Sequence, residues 1–142
     1  MGVSLPGPAA PSQVARVGKA ARRTLAVIRV VNGGLALIAP GVIIGRFGEQ
    51  PAQSGAAVYG LRMFGIRTVL LGVDLATLSG EPLRRALRQA VLIHATDTAA
   101  VILLGLTGRA RPRTAIPLAL ISLTNTALAS TACLAERAER KA

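Results

Sequence analysis

Apolar and polar positions along this chain sort into long greasy runs separated by short polar links, not into the mixed stripes of a water-soluble fold. The first run is LAVIRVVNGGLALIAPGVII, Leu25 to Ile44. The second is VYGLRMFGIRTVLLGVDLATLS, Val58 to Ser79, and the third is PLRRALRQAVLIHATDTAAVILLGL, Pro82 to Leu106. The fourth, AIPLALISLTNTALASTACLA, runs from Ala115 to Ala135 and contains no charged residue. Each approaches the roughly 20 residues that a helix needs to cross a hydrocarbon core. Period-2 alternation is missing throughout, which excludes a transmembrane β-barrel. The pattern predicts an all-α, polytopic membrane four-helix bundle with spans at about 25–44, 58–79, 86–106 and 115–135.

Punctuation supports the division. Pro82 and Pro117 fall at or near expected helix starts, where a missing N–H costs little. The SGEP link, Ser79 to Pro82, is short enough to force an antiparallel hairpin. Pro40-Gly41 lies inside the first run and should kink it, freeing the carbonyl of Ala36. GRFGEQPAQSGAA, Gly45 to Ala57, is a Gly/Pro/Gln loop. Residues 1–23 form a Pro-rich, then basic leader, expected to be flexible and to end in a short amphipathic segment. The run after it is too long for the apolar core of a signal peptide, although the Arg-rich, acid-free leader also resembles a mitochondrial transit peptide. Residues 24–135 make the expected membrane domain, and 136–142 a charged tail.

Composition agrees with a bilayer. Half of the 142 residues are hydrophobic, mean hydropathy is +0.52, and only 16% are charged, against about 25–35% on a soluble surface. Aromatic side chains are limited to Phe47, Tyr59 and Phe64. A soluble core would lean on more rings, whereas membrane helices pack through Gly, Ala, Ser and Thr. The net charge of +11 raises nucleic acid as a partner, but there is no recognition motif and no aromatic stacking platform. The basic residues instead cluster between the apolar runs, where anionic head groups would meet them.

Their distribution sets orientation. With the N-terminus inside, Arg16, Lys19, Arg22, Arg23, Arg84, Arg85, Arg88, Arg137, Arg140 and Lys141 are cytoplasmic. Arg46 and the RARPR cluster of Arg109, Arg111 and Arg113 fall outside. The expectation is therefore N-in/C-in, with Phe47 and Tyr59 flanking the outer interface, in a bacterial cytoplasmic membrane. Arg outnumbers Lys fifteen to two, as in GC-rich genomes.

Charged residues inside the apolar runs are the candidate chemistry. A lone Arg or Asp at the bilayer centre costs about 2.5–3.5 kcal/mol on insertion scales, so such groups face the bundle interior and find partners. Helix depths at about 1.5 Å per residue suggest two layers. One holds Arg67, Asp97 and Asn125; the other holds Asp74, Arg29, Asn32 and His94. The ion pairs Arg67–Asp97 and Arg29–Asp74 are expected from them. Arg62 lies close enough to the outer surface to snorkel as a head-group anchor. His94 and Asp97, three apart in H-A-T-D, share a helix face and are the weak catalytic or proton-relay candidates. Gly41-x-x-x-Gly45 and the stripe Ser122, Thr126 and Ser130 suit close helix packing, within the chain or against another protein. Lone Cys133 and the single histidine give no disulfide framework and no protein-only zinc site, and no cofactor is predicted. Cys133 suits a buried small residue, with palmitoylation the other role it could take.

R-M-F-G-I-R-T-V-L-L-G, Arg62 to Gly72, followed by H-A-T-D-T-A-A on the next helix, resembles small four-helix integral membrane proteins of unknown function common in actinobacteria. These carry an F-G-x-R-x-x-x-x-G core on the second helix. N-G-G-L-A-L-I-A-P on the first helix is similar to their G-x-x-x-L-x-x-P run. The likeness covers about Arg29 to Leu106 and implies the fold; Thr68 stands where many such proteins have an acidic residue.

The functional expectation is a small non-catalytic integral membrane protein, an accessory subunit of a membrane complex or a lipid-binding bundle held together by intramembrane ion pairs. Its partners would be the lipid bilayer, other membrane subunits or a second copy, and a bound lipid or quinone. The alternative is a small membrane enzyme or proton-coupled carrier using Asp97, His94, Arg67 and Asp74.

Overall fold

The computed structural model describes residues 12–46 and 55–141, and within these every regular element is a helix. In chain order they are α1 (Gln13–Ile38), α2 (Pro40–Arg46), α3 (Gly55–Thr77), α4 (Gly80–Leu106) and α5 (Pro112–Glu139). Three of them, α3, α4 and α5, are long and apolar enough to cross a membrane. The chain thus has the character of an integral membrane protein.

α1 begins earlier than the apolar run does. Ser12 caps it, its Oγ accepting from the Ala15 N–H at 3.2 Å, one of the orphan donors of a helix start. Nothing between Gln13 and Ile38 stops a helix, so the expected leader boundary at residue 23 falls inside α1. Gly18, Ala21 and Leu25 in this lower half are buried, which makes it part of the bundle.

The expected kink at Pro40 is a full break. Ala39 leaves the helical region at φ −127° and ψ 54°, as steric pressure from the following proline ring dictates. Pro40 then opens α2 as its first residue. Pro112, not Pro117, opens α5; Pro117 lies inside that helix. α4 ends at Leu106, and just beyond its cap Gly108, at a φ of +67°, lets Arg109 N–H reach back to Leu104 O at 3.0 Å, a left-handed C-terminal stop. Gly80, at φ +60°, makes the turn between α3 and α4.

α1 packs most extensively on α3, α4 packs on α5, and α1 also lies along α5. α3 and α4 share little contact although only Leu78 and Ser79 link them. Three sides of the bundle are closed and the α3–α4 side is comparatively open.

The interior is small and the exterior large. Ala21, Ala26, Ala36, Ala86, Ala90, Ala129 and Ala132 are buried, and the largest fully buried side chains are Leu25, Leu75 and Leu87. Leu70, Leu92, Leu103, Leu106, Leu120 and Leu134 point outward. Lipid tails are as apolar as leucine, so the large side chains lose nothing by facing them while close backbone approach holds the helices. At the α1–α3 seam a Cβ on Gly65 would meet Leu37 N at 2.6 Å and Gly33 O at 2.7 Å. Gly33 and Gly72 are pressed as tightly against α3 and α1 respectively, and Gly18 is in contact with Ala135 of α5.

Candidate functional site: an intramembrane polar cluster

α1 and α5 run antiparallel. From the Gly18–Ala135 contact, eleven residues up α1 is Arg29 and ten residues back along α5 is Asn125, so the two share a level. α4 joins them there. Thr98 Oγ1 of α4 lies 3.2 Å from Thr126 Oγ1 of α5, and Thr98 also donates to His94 O at 2.7 Å. Arg29, His94 and Asn125 are 3%, 6% and 7% exposed. They come from three helices and form one buried polar level.

Arg29 lies close enough to His94 and Asp97 for their charges to interact, yet no ion pair joins it to a carboxylate among the described residues. His94 Nδ1 is 3.9 Å from Asp97 Oδ2, beyond hydrogen-bond length. Among the described residues, Arg29 Nε and Nη1, His94 Nε2 and Asn125 Oδ1 have no hydrogen-bond partner.

The expected layers are therefore re-sorted. Arg29 and His94 belong with Asp97 and Asn125, whereas Asn32 and Arg67 are exposed and Asp74 is half-buried. Neither expected ion pair, Arg67–Asp97 nor Arg29–Asp74, forms among the described residues. The reason is the seam with α1. Gly65, Thr68, Gly72 and Leu75 are the buried stripe of α3, and at 100° per residue Arg67 and Asp74 sit about 120–140° around the helix from it. They do share one face, but it is turned away from α1. Arg62 is exposed, as snorkelling requires, and Tyr59 is 67% exposed; Phe47 lies outside the described residues.

Of the small-residue stripes, Thr126 faces α4 through its bond to Thr98, with Ser122 and Ser130 half-buried beside it. Gly45 is exposed, and a Cβ there would meet nothing within 4 Å; Gly41 is half-buried. The glycines that bring helices together are Gly18, Gly33, Gly65 and Gly72. Of these, Gly33, Gly65 and Gly72 lie inside the motifs quoted for the resemblance, which could have marked them. Cys133 is buried.

A second polar network closes the hairpin end. Glu81 accepts from Arg84 Nε at 2.8 Å and Arg88 Nη2 at 3.3 Å, and Arg84 lies 3.8 Å from Glu136 of α5. These hydrogen bonds hold the Glu81 carboxyl below its ordinary range. A cleft of about 390 Å³ opens beside it, bordered by Arg16, Lys19, Arg22, Leu83, Glu136 and Glu139. Arg22 Nη1 reaches Leu78 O at 3.4 Å across it. Sequence spacing pointed to the basic residues here but not to the carboxylates that hold them.

Comparison with protein families, with characterised proteins and with solved structures gives no match.

Proposed function

We propose that this chain is a non-catalytic subunit of a membrane complex that docks onto partner helices through α3 and α4. In this reading it crosses the bilayer four times, α1 continued through α2 being the first crossing, and both termini are cytoplasmic. The resemblance to small actinobacterial membrane proteins fits that arrangement and a bacterial cytoplasmic membrane.

One observation carries the reading: Arg67 in α3 and Asp97 in α4 lie within apolar helices and are exposed. Lipid is a poor neighbour for either, at about 2.5–3.5 kcal/mol each at the bilayer centre. A partner helix of complementary charge removes that cost. The carrier alternative keeps His94 and Asp97 as neighbours, but Arg67 and Asp74 stand on a different face and do not extend that pair into one relay.

The test is purification of the full chain from its native membrane in mild detergent, comparing Arg67→Leu with Arg113→Leu. The account expects a stoichiometric membrane protein that accompanies wild type and Arg113→Leu and is lost with Arg67→Leu. A chain that purifies alone, or a partner indifferent to Arg67, contradicts it.

A further inference from the structure

Arg29, His94 and Asn125 lie at one level on three helices, each more than nine-tenths buried, and each keeps at least one polar atom without a partner among the described residues. A buried donor left unmet costs about 1–3 kcal/mol, and more when it is charged. The nearby groups do not answer it. Thr98 and Thr126 donate their hydroxyl protons to the carbonyls of His94 and Ser122, and their oxygens lie 3.2 Å apart. Asp97 makes no ion pair with Arg29 and stands 3.9 Å from His94.

The cluster is closed to water, but it borders an exposed side chain. Leu83, Leu87, Ala90, His94 and Val101 make the buried stripe of α4, and Asp97 falls on it, three residues after His94 and four before Val101. Its side chain is nevertheless 46% exposed. The stripe opens at this one level, on a bundle whose α3–α4 side is sparsely packed. In a membrane protein such an opening faces the bilayer.

We propose that Arg29 and His94, assisted by Asn125, bind a single oxyanion, a carboxylate or phosphate, admitted between α3 and α4. Guanidinium donors suit such oxygens better than any other side chain. His94 Nε2 supplies a second donor in the matching tautomer, and the Asn125 amide supplies a third when its NH₂ is turned inward. Asp97 at the entrance limits the site to one negative charge and favours a head that carries a cation beside its anion. The lateral opening suits an amphiphile such as a fatty acid or a phospholipid; a small free anion offers the same chemistry from water. Arg67 takes no part in this site, but the site shares the exposed Asp97 with the proposed docking surface; loss of the partner in Arg67→Leu tests that surface, and the Tm shift in Arg29→Gln tests the site.

Thermal unfolding of the detergent-purified full chain tests it, with oleate, short-chain phosphatidylethanolamine, inorganic phosphate and uncharged diacylglycerol as probes. The expected result is a saturable rise in Tm of several degrees with an anionic probe and none with diacylglycerol. A rise with oleate or phosphatidylethanolamine alone assigns a lipid source, and a rise with inorganic phosphate assigns a free anion. Arg29→Gln should abolish the rise while its own Tm, with no probe added, equals or exceeds that of wild type, because it removes a buried charge that makes no ion pair among the described residues. Should Arg29→Gln not fold, His94→Leu serves, with at least a tenfold weaker midpoint expected. Absence of a rise with every anionic probe, or a rise unchanged in the variant, overturns the proposal.

Discussion

Gly65 lies so close to α1 that a single added carbon would strike backbone atoms at 2.6 and 2.7 Å, and neither can yield as a side chain would. Gly65→Ala is therefore expected to cost about 1–3 kcal/mol, the usual range for overpacking a tight interface. Gly34, one residue from the seam, would meet nothing within 4 Å. Gly34→Ala should be neutral or stabilising by up to about 1 kcal/mol, from helix propensity. Melting curves of both in one detergent check the contrast, and equal losses would mean the α1–α3 seam is not as tight as described. Sequence spacing singled out Gly41 and Gly45 instead, because a small-xxx-small pattern states that close approach is permitted and not which neighbour uses it. Arg29 is legible from its apolar surroundings, and His94 at its level, but Asp97 and Asn125 fall in a different layer when depth alone is counted. Depth along a helix follows from counting residues; the direction a side chain takes around it depends on which face the glycines give to α1.

Three of the four apolar runs foretold α3, α4 and α5, each long enough to cross a membrane, whereas the first run is divided between α1 and α2 at Ala39; the short SGEP link enforced the hairpin. Boundaries were less legible. The polar lower half of α1 contains no helix breaker, so a change in composition near residue 23 was mistaken for a change in structure. Pro40 was legible as a disturbance, and the steric demand on Ala39 turns it into a break. At the start of α4, Glu81 joins Arg84 and Arg88 in hydrogen bonds that lower its carboxyl from the ordinary value of 4.5. The sign follows from that direction. A carboxyl held lower in the folded state contributes its full stabilisation above its ordinary value and loses it as pH falls through the lowered one. Protection of the amides that close the first turn of α4, taken relative to the intrinsic exchange rate at each pH, should accordingly fall only on acidification into that window, and Glu81→Gln should show the lower protection at neutral pH. A first turn indifferent to both would remove Glu81 from the account.

Taken whole, the molecule turns the usual soluble arrangement around: alanine and glycine inside, leucine and isoleucine outside, charge confined to one buried level, two exposed faces and the helix ends. The exterior leucines are at home in lipid, but the face of α3 that carries Arg67 and Asp74 is not. That difference between two exposed surfaces is the central claim, and oxygen collision rates at nitroxide labels in native membranes measure it most directly. Met63 lies about 40° around α3 from Arg67 by helical geometry, and Leu120 is an outward leucine of α5. The account predicts that a label on Met63→Cys is shielded from oxygen by a protein neighbour while one on Leu120→Cys meets it freely. Equal, lipid-like collision rates at both positions would contradict it.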